Sequence, residues 1–350
     1  MSQVLNIAGR LVGPGHPVYI IAEMSANHGH DFDQAVRILH AAAEAGVDAV
    51  KLQTYTADTL TIDSKAEPFM IGKGTPWEGR NLYDLYGEAY TPWEWQPKLK
   101  EIADGLGLHC FSTPFDISAV DFLEAMNVPA HKIASFELVD HELIQAVART
   151  AKPVIMSTGM ATHEEIAEAV DAARSAGCSQ LALLKCTSSY PASPDDMNLR
   201  TIPKLAADFC VPAGLSDHTL DIVVPVTAVA LGACVIEKHI TLSRNDPGPD
   251  SSFSLEPHEF KAMVDAVRVT ERALGSVSFG PSEHEKNSVV FRRSLFVVAD
   301  VKAGEAFTRE NVRSIRPGHG LAPKHIVEVL GKKAARDIDR GTPLQAEDVA

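Results

Sequence analysis

The sequence predicts a parallel (β/α)8 TIM barrel followed by a small C-terminal β domain. Short β-branched runs, polar turns and amphipathic helices alternate until about residue 275, and eight such runs are present. Past Gly275 the helical spacing stops, Ser and Gly prevail through Ser282, and the remainder carries an internal repeat.

The runs at 18–23, 49–54, 108–113, 131–135, 153–158, 181–186, 213–216 and 234–239 read as strands. The helices between them are well marked. Asp31 is a fair N-cap for residues 32–44, which stop at Gly46, and Thr162-His-Glu-Glu165 is a capping box ahead of 166–176, closed by Gly177. One connection is overlong: the stretch from Thr54 to Trp95 holds all three tryptophans (77, 93, 95) and three of the six tyrosines (83, 86, 90). It reads either as a structural subdomain or as an aromatic wall over a site. In the tail, Asp300-Val-Lys-Ala-Gly304, Phe307 and Glu310-Asn-Val312 recur 37 residues later as Asp337-Ile-Asp-Arg-Gly341, Leu344 and Glu347-Asp-Val349. The expected boundaries are therefore a barrel at 1–275, a linker at 276–290 and a pseudo-symmetric β domain at 291–350.

Composition narrows the function. With 45% apolar and 22% charged residues the 350-residue chain is an ordinary globular protein. Thirty-two basic against 46 acidic side chains, a net charge of −14, argue against nonspecific nucleic-acid binding. The longest apolar run, 222–235, is interrupted by Pro225 and Gly232 and falls short of the ~20 residues a membrane span needs. The N-terminus has no basic segment followed by a long apolar one, so a cytoplasmic location without membrane contact is expected. Five cysteines without C-x-x-C spacing read as reduced core residues.

In a barrel of this kind chemistry sits at the C-terminal ends of the strands. Those ends carry Glu23, Lys51 with Gln53, Ser112-Thr113, Lys132 with Ser135 and Glu137, Ser157-Thr158, Lys185 with Thr187-Ser188, Ser216-Asp217-His218 and Glu237-Lys238-His239. Buried charge is expensive unless paired or used, which marks a site. Three lysines with hydroxyls describe an anion cradle. Alternation places Lys51 with Gln53, and Ser135 with Glu137, on shared strand faces. His218 and His239 follow neighbouring strands and could hold one divalent ion with open positions for water and substrate; otherwise one caps a helix and the other packs in the core. An oxygen from Glu237 or Asp250 would favour Mn²⁺ or Mg²⁺. His28 reads as a loop residue. Asp246-Pro-Gly-Pro-Asp250 and Arg316-Pro-Gly-His-Gly320 are rigid loops of opposite charge.

The ordered motifs Ile20-Ile-Ala-Glu23, Asn27-His28, Lys51-Leu-Gln53, Ser112-Thr-Pro-Phe115, Lys132-Ile-Ala-Ser135-Phe-Glu137, Ser157-Thr-Gly159, Gly214-Leu-Ser-Asp-His218, Glu237-Lys-His239 and Pro247-Gly-Pro-Asp250 together resemble the sialic acid synthase family. The tail resembles that family's antifreeze-like (SAF, β-clip) domain. Asn81-Leu-Tyr-Asp-Leu-Tyr86, Tyr90-Thr-Pro-Trp-Glu-Trp95, Ser251-Ser-Phe-Ser254 and Ser314-Ile-Arg-Pro-Gly318 resemble its pseudaminic-acid-forming branch rather than neuraminate synthases.

The resemblance implies condensation of phosphoenolpyruvate with an acetamido sugar, 2,4-diacetamido-2,4,6-trideoxy-altrose in that branch, to give pseudaminic acid and phosphate. It implies a metal on His218 and His239, and phosphoenolpyruvate among Lys51, Thr113, Lys132, Ser135, Ser157 and Ser216. Glu23, Gln53, Tyr190 and Asp250 would face the sugar, joined by Arg316 of the partner subunit in a homodimer whose C-terminal domain completes the neighbouring site. Glu23, Glu137 and Lys51 are the catalytic candidates. Ser188 joins the binding set, although neuraminate synthases carry Asn there. Alternatives are an N-acetylneuraminate or legionaminic acid synthase and, from another class, a non-catalytic carbohydrate-binding or ice-binding protein.

Overall fold

The computed structural model describes residues 4–350; of the N-terminal stretch read as free of a targeting segment, Met1–Gln3 lie outside them. Eight parallel strands close into one barrel: Tyr19–Glu23 (β1), Ala49–Thr54 (β2), His109–Pro114 (β3), His131–Ile133 (β4), Val154–Ser157 (β5), Leu181–Cys186 (β6), Ala213–Asp217 (β7) and Val235–His239 (β8). The seam is β8 on β1, with His239 opposite Glu23. One expected strand is cut short. The chain turns after Ile133, with Glu137 N bonded to Ala134 O at 3.2 Å, so Ser135 and Glu137 stand on a turn rather than on a common strand face.

Period-two alternation sorts the side chains into two cores. Tyr19, Ile21, Ala49, Phe111, Ile155, Leu184 and Val235 fill the barrel interior, while intervening residues such as Ile20, Val50, Cys110 and Ile236 pack outward against the helices. A short antiparallel hairpin that the sequence pattern did not reveal, Leu5–Ile7 with Arg10–Val12, adds Leu5, Ile7 and Val12 to the interior cluster. It covers the N-terminal end of the barrel and leaves the C-terminal end for the site.

The helices start and stop where their caps dictate. Asp31 accepts from Asp33 N at 2.9 Å and Gln34 N at 3.2 Å, Gly46 ends that helix at φ 84°, and Thr162 forms the capping box with Glu165. The long connection after β2 folds into short helices, Ala57–Leu60 and Leu82–Ala89. Among the described residues no helix is long and apolar enough to cross a membrane.

The chain divides into two compact units, one to Gly275 and one from Ser276. In the second, Ser294–Val297 pairs antiparallel with Val312–Ile315 around a core of Leu295, Val301, Phe307, Val312, Ile338 and Leu344. Its internal repeat is a structural two-fold. Val301 bridges Ile338, Asp300 accepts from Arg340 N at 2.7 Å, and the equivalent Asp337 accepts from Ala303 N at 2.8 Å.

Candidate active site

The inner face of each strand continues past the apolar layer into chemistry. Two residues beyond Ile21, Ala49, Ala130, Ile155, Leu184, Gly214 and Val235 stand Glu23, Lys51, Lys132, Ser157, Cys186, Ser216 and Glu237, all lining a cavity of about 310 Å³. Gly214 is required there, because a Cβ would collide with the Val235 carbonyl and β-carbon.

Charge in this layer is paired. Lys51 Nζ lies 2.5 Å from Glu23, 3.5 Å from Glu237 and 3.1 Å from Thr113 Oγ1; Lys132 Nζ lies 3.7 Å from Glu237 and 2.7 Å from Ser157 Oγ. Burial pushes the Glu23 carboxyl up to about 7 against the pull of Lys51, and Glu237 adds to the rise. Glu237 goes the other way: burial alone would raise it, but Lys132, Lys51 and His218 hold it below the ordinary range. Burial lowers Lys132, whereas Glu23 and Glu137 differ in their partners. Glu137 has one buried oxygen without a partner and is lifted to about 7, chiefly by burial.

The two histidines converge, with ring centres 5.4 Å apart. His218 Nδ1 sits 2.8 Å from the Thr187 carbonyl, which can only accept, so Nδ1 donates there and Nε2 is the nitrogen left to ligate a metal. His239 is half-buried at the end of its strand with Nδ1 unpartnered, and desolvation followed by the nearby cations keeps it neutral, the form that ligates metal. These features fit a divalent ion. Among the described residues no group of three or more His, Cys, Asp or Glu is arranged to hold one, so the protein's share is an open pair rather than a closed cage. On the outer faces of the same strands, Lys238 Nζ lies 2.5 Å from Asp217 and also donates to Thr219 O, tying down the backbone beside both histidines.

Loops complete the wall. Asp250 accepts from Ser25 Oγ and Gln53 Nε2 reaches the same hydroxyl at 2.9 Å. Tyr190 packs 4.4 Å from His218, 5.0 Å from Phe253 and 5.4 Å from Trp77, whose Nε1 bonds Pro249 O at 2.9 Å. Ser135 lines the cavity and holds Gly159 N at 3.1 Å.

Several sequence expectations change here. Lys185 is not part of the cradle: lying between the inward Leu184 and Cys186, it faces out and bonds Cys186 O at 2.6 Å and Thr187 Oγ1 at 3.1 Å. Thr113 supports Lys51 from outside the cavity lining, and the Ser188 hydroxyl sits over Gly159 rather than on the lining. His28 is buried in a short 3-10 helix, bonded to Thr91 at 3.1 Å. Of the tryptophans only Trp77 faces the cavity; Trp93 packs 4.7 Å from Phe122 and Trp95 lies 5.6 Å from Phe32. Cys186, read as plain core, lines the site 4.0 Å from His218; burial would raise its thiol, but His218 and Ser135 draw it down to about 6. Period-two parity from Leu184 was the signal for it. Arg316 lies in the second unit, directly after Val312–Ile315.

Residues 38–279 match the NeuB family and residues 292–350 the SAF domain. The sequence is 46% identical to a pseudaminic acid synthase of Helicobacter pylori over 95% of this chain and 98% of that one, and 37% identical to an N,N'-diacetyllegionaminic acid synthase of Legionella pneumophila over 96% of each. The structure is similar to an N-acetylneuraminic acid (sialic acid) synthetase of Leptospira borgpetersenii crystallised with citrate, with a TM-score of 0.73 and 32% identity over 83% of this chain and 96% of that one. A polar barrel mouth of this make-up and a match over most of the barrel agree: the chain belongs to the NeuB family.

Proposed function

We propose that the protein condenses phosphoenolpyruvate with 2,4-diacetamido-2,4,6-trideoxy-altrose to give pseudaminic acid and phosphate. The observation that carries this reading is its greater full-length identity to the pseudaminic acid synthase than to the legionaminic one. Lys51 and Lys132, backed by Thr113 and Ser157, bind the phosphate and carboxylate of phosphoenolpyruvate. His218 and His239 hold the divalent ion, Mn²⁺ or Mg²⁺ in surroundings rich in carboxylate oxygen. That ion, when bound, supplies Lewis-acid polarisation of the open-chain aldehyde.

C3 of phosphoenolpyruvate attacks the aldehyde carbon, a C–C bond forms and the aldehyde oxygen takes up a proton. C2 becomes electron-deficient, and the ionised Glu237 carboxylate stabilises it. Water adds at C2, its proton passes to Glu23 or Glu137, and the tetrahedral carbon expels phosphate as the ketone forms. For Glu137 the sign is definite: a base must be ionised, so the rate falls below pH 7 as the carboxyl takes its proton. Glu137→Gln is expected to lower kcat and erase that acid limb; an unchanged pH profile would remove Glu137 from the role.

The second unit completes a neighbouring site in a homodimer, with Arg316 of the partner subunit on the sugar. Support comes from the exposed apolar side chains Phe136, Val139, Met160 and Leu220 on loops that follow barrel strands, with Val223 at the start of the helix after β7, a rim that a partner would cover. Mixing Arg316→Ala with Lys132→Ala protein is expected to restore part of the activity, and no restoration would contradict shared sites.

The sugar is tested with kcat/KM values for the trideoxy-altrose and N-acetylmannosamine. We expect a clear preference for the former; equal or greater efficiency with N-acetylmannosamine would overturn the branch while leaving the synthase chemistry.

A further inference from the structure

The cavity has two ends of opposite character. Strand residues supply the charged end, whereas the excursion after β2 supplies an apolar one through Leu60, Ile71, Leu82, Leu85 and Ala89. Three of these and Tyr86 share the helix Leu82–Ala89, at positions i, i+3, i+4 and i+7, which is one helical face. Asp84 and Glu88, on the other side, are exposed. Leu82, Leu85, Tyr86 and Ala89 belong to none of the apolar clusters of the barrel. An amphipathic helix normally spends its apolar face on the core. This one, capped by Asn81 through Tyr83 N at 2.9 Å, turns it to the cavity.

We propose that this face is a subsite for the deoxygenated end of the sugar, holding the C6 methyl group and the methyl of the acetamido group at C4. The inference rests on the synthase reading, which fixes the aldehyde carbon at the histidines and lysines. C6 is the carbon farthest from that aldehyde, so an open-chain sugar bound by its C1 at the charged end directs C6 away from it, toward the apolar end. A hydroxyl on C6 would lose its water there; Leu60, Ile71, Leu82, Leu85 and Ala89 offer it no donor or acceptor, and on the helical face only Tyr86 carries a hydroxyl. The specificity-determining residues are thus Leu82, Leu85 and Ala89, outside the strands that do the chemistry.

The test compares the trideoxy sugar with its 6-hydroxy analogue by phosphate release from phosphoenolpyruvate, in the full-length protein and in Leu82→Asn and Ala89→Ser. The wild type should favour the deoxy sugar about tenfold, as one buried methyl against a stranded hydroxyl allows. Each variant should shrink that ratio at least threefold through KM for the sugar, with KM for phosphoenolpyruvate unchanged. Thermal melting identifies a variant that fails to fold, and the second variant then decides. Wild-type turnover of the deoxy sugar with ratios unmoved in the folded variants would overturn the subsite alone. A wild type that releases no phosphate with either sugar would overturn the function and the subsite together.

Discussion

Alanine at His239 is expected to lower kcat about a thousandfold, since Lewis-acid polarisation of an aldehyde oxygen contributes several kcal/mol. His218→Ala should lose as much. His218 is buried and donates Nδ1–H to Thr187 O, which leaves Nε2 as its ligating nitrogen, and the half-buried His239 is kept neutral. Removing either leaves one ligand, too few to retain a weakly bound ion against water. Chelation should silence the wild type, and Mn²⁺ or Mg²⁺ should restore it but not the variants. Mn²⁺ titration followed by electron paramagnetic resonance reads binding without turnover. Full wild-type activity in excess chelator, or unaltered Mn²⁺ affinity in both variants, would contradict the assignment.

The second large effect is on stability. Lys51→Met leaves Glu23 and Glu237 facing each other in the barrel without the cation between them, and breaking a buried pair in this way costs about 3–5 kcal/mol. The loss should deepen with pH. With Lys51 gone the folded-state pKa of Glu23, already above the unfolded value, rises further, so the folded state binds the extra proton; its stability is greatest at low pH and drains as pH climbs through the raised pKa. Urea unfolding at pH 6 and pH 8.5 measures this. Glu23→Gln in the Lys51→Met background should recover much of the stability at pH 8.5 while activity stays absent. Equal midpoints for the wild type and Lys51→Met at pH 8.5 would show that the pair does not carry the charge balance inferred here.

The barrel was legible because its alternation is uninterrupted: short β-branched and apolar runs for the strands, and helices between them with caps such as Asp31 and Thr162. What escaped was set by parity and by tertiary context. Lys185 looked like a third cradle lysine because its strand end is polar, yet the inward Leu184 and Cys186 on either side already assign it to the outer face. The short N-terminal hairpin has three residues per strand, too few to show a period. Trp93 and Trp95 were grouped with Trp77 by proximity in sequence, but the chain turns between them and spends two of the three on core packing. The ends of β1, β2, β7 and β8 were readable as a site because carboxylates, lysines and histidines at successive strand termini have no cheap structural use. Which of them touch could be known only from the closed barrel, where Glu237 lies near both Lys51 and Lys132.

The central claim is that phosphoenolpyruvate is joined to a sugar through its C3 while water enters at C2 and phosphate departs with the bridging oxygen. Phosphoenolpyruvate labelled with ¹⁸O in the C–O–P bridge tests it directly. The account predicts one phosphate per sugar consumed, none without sugar, and the label recovered in the phosphate. Label retained in the organic product, or phosphate release that ignores the sugar, would contradict it.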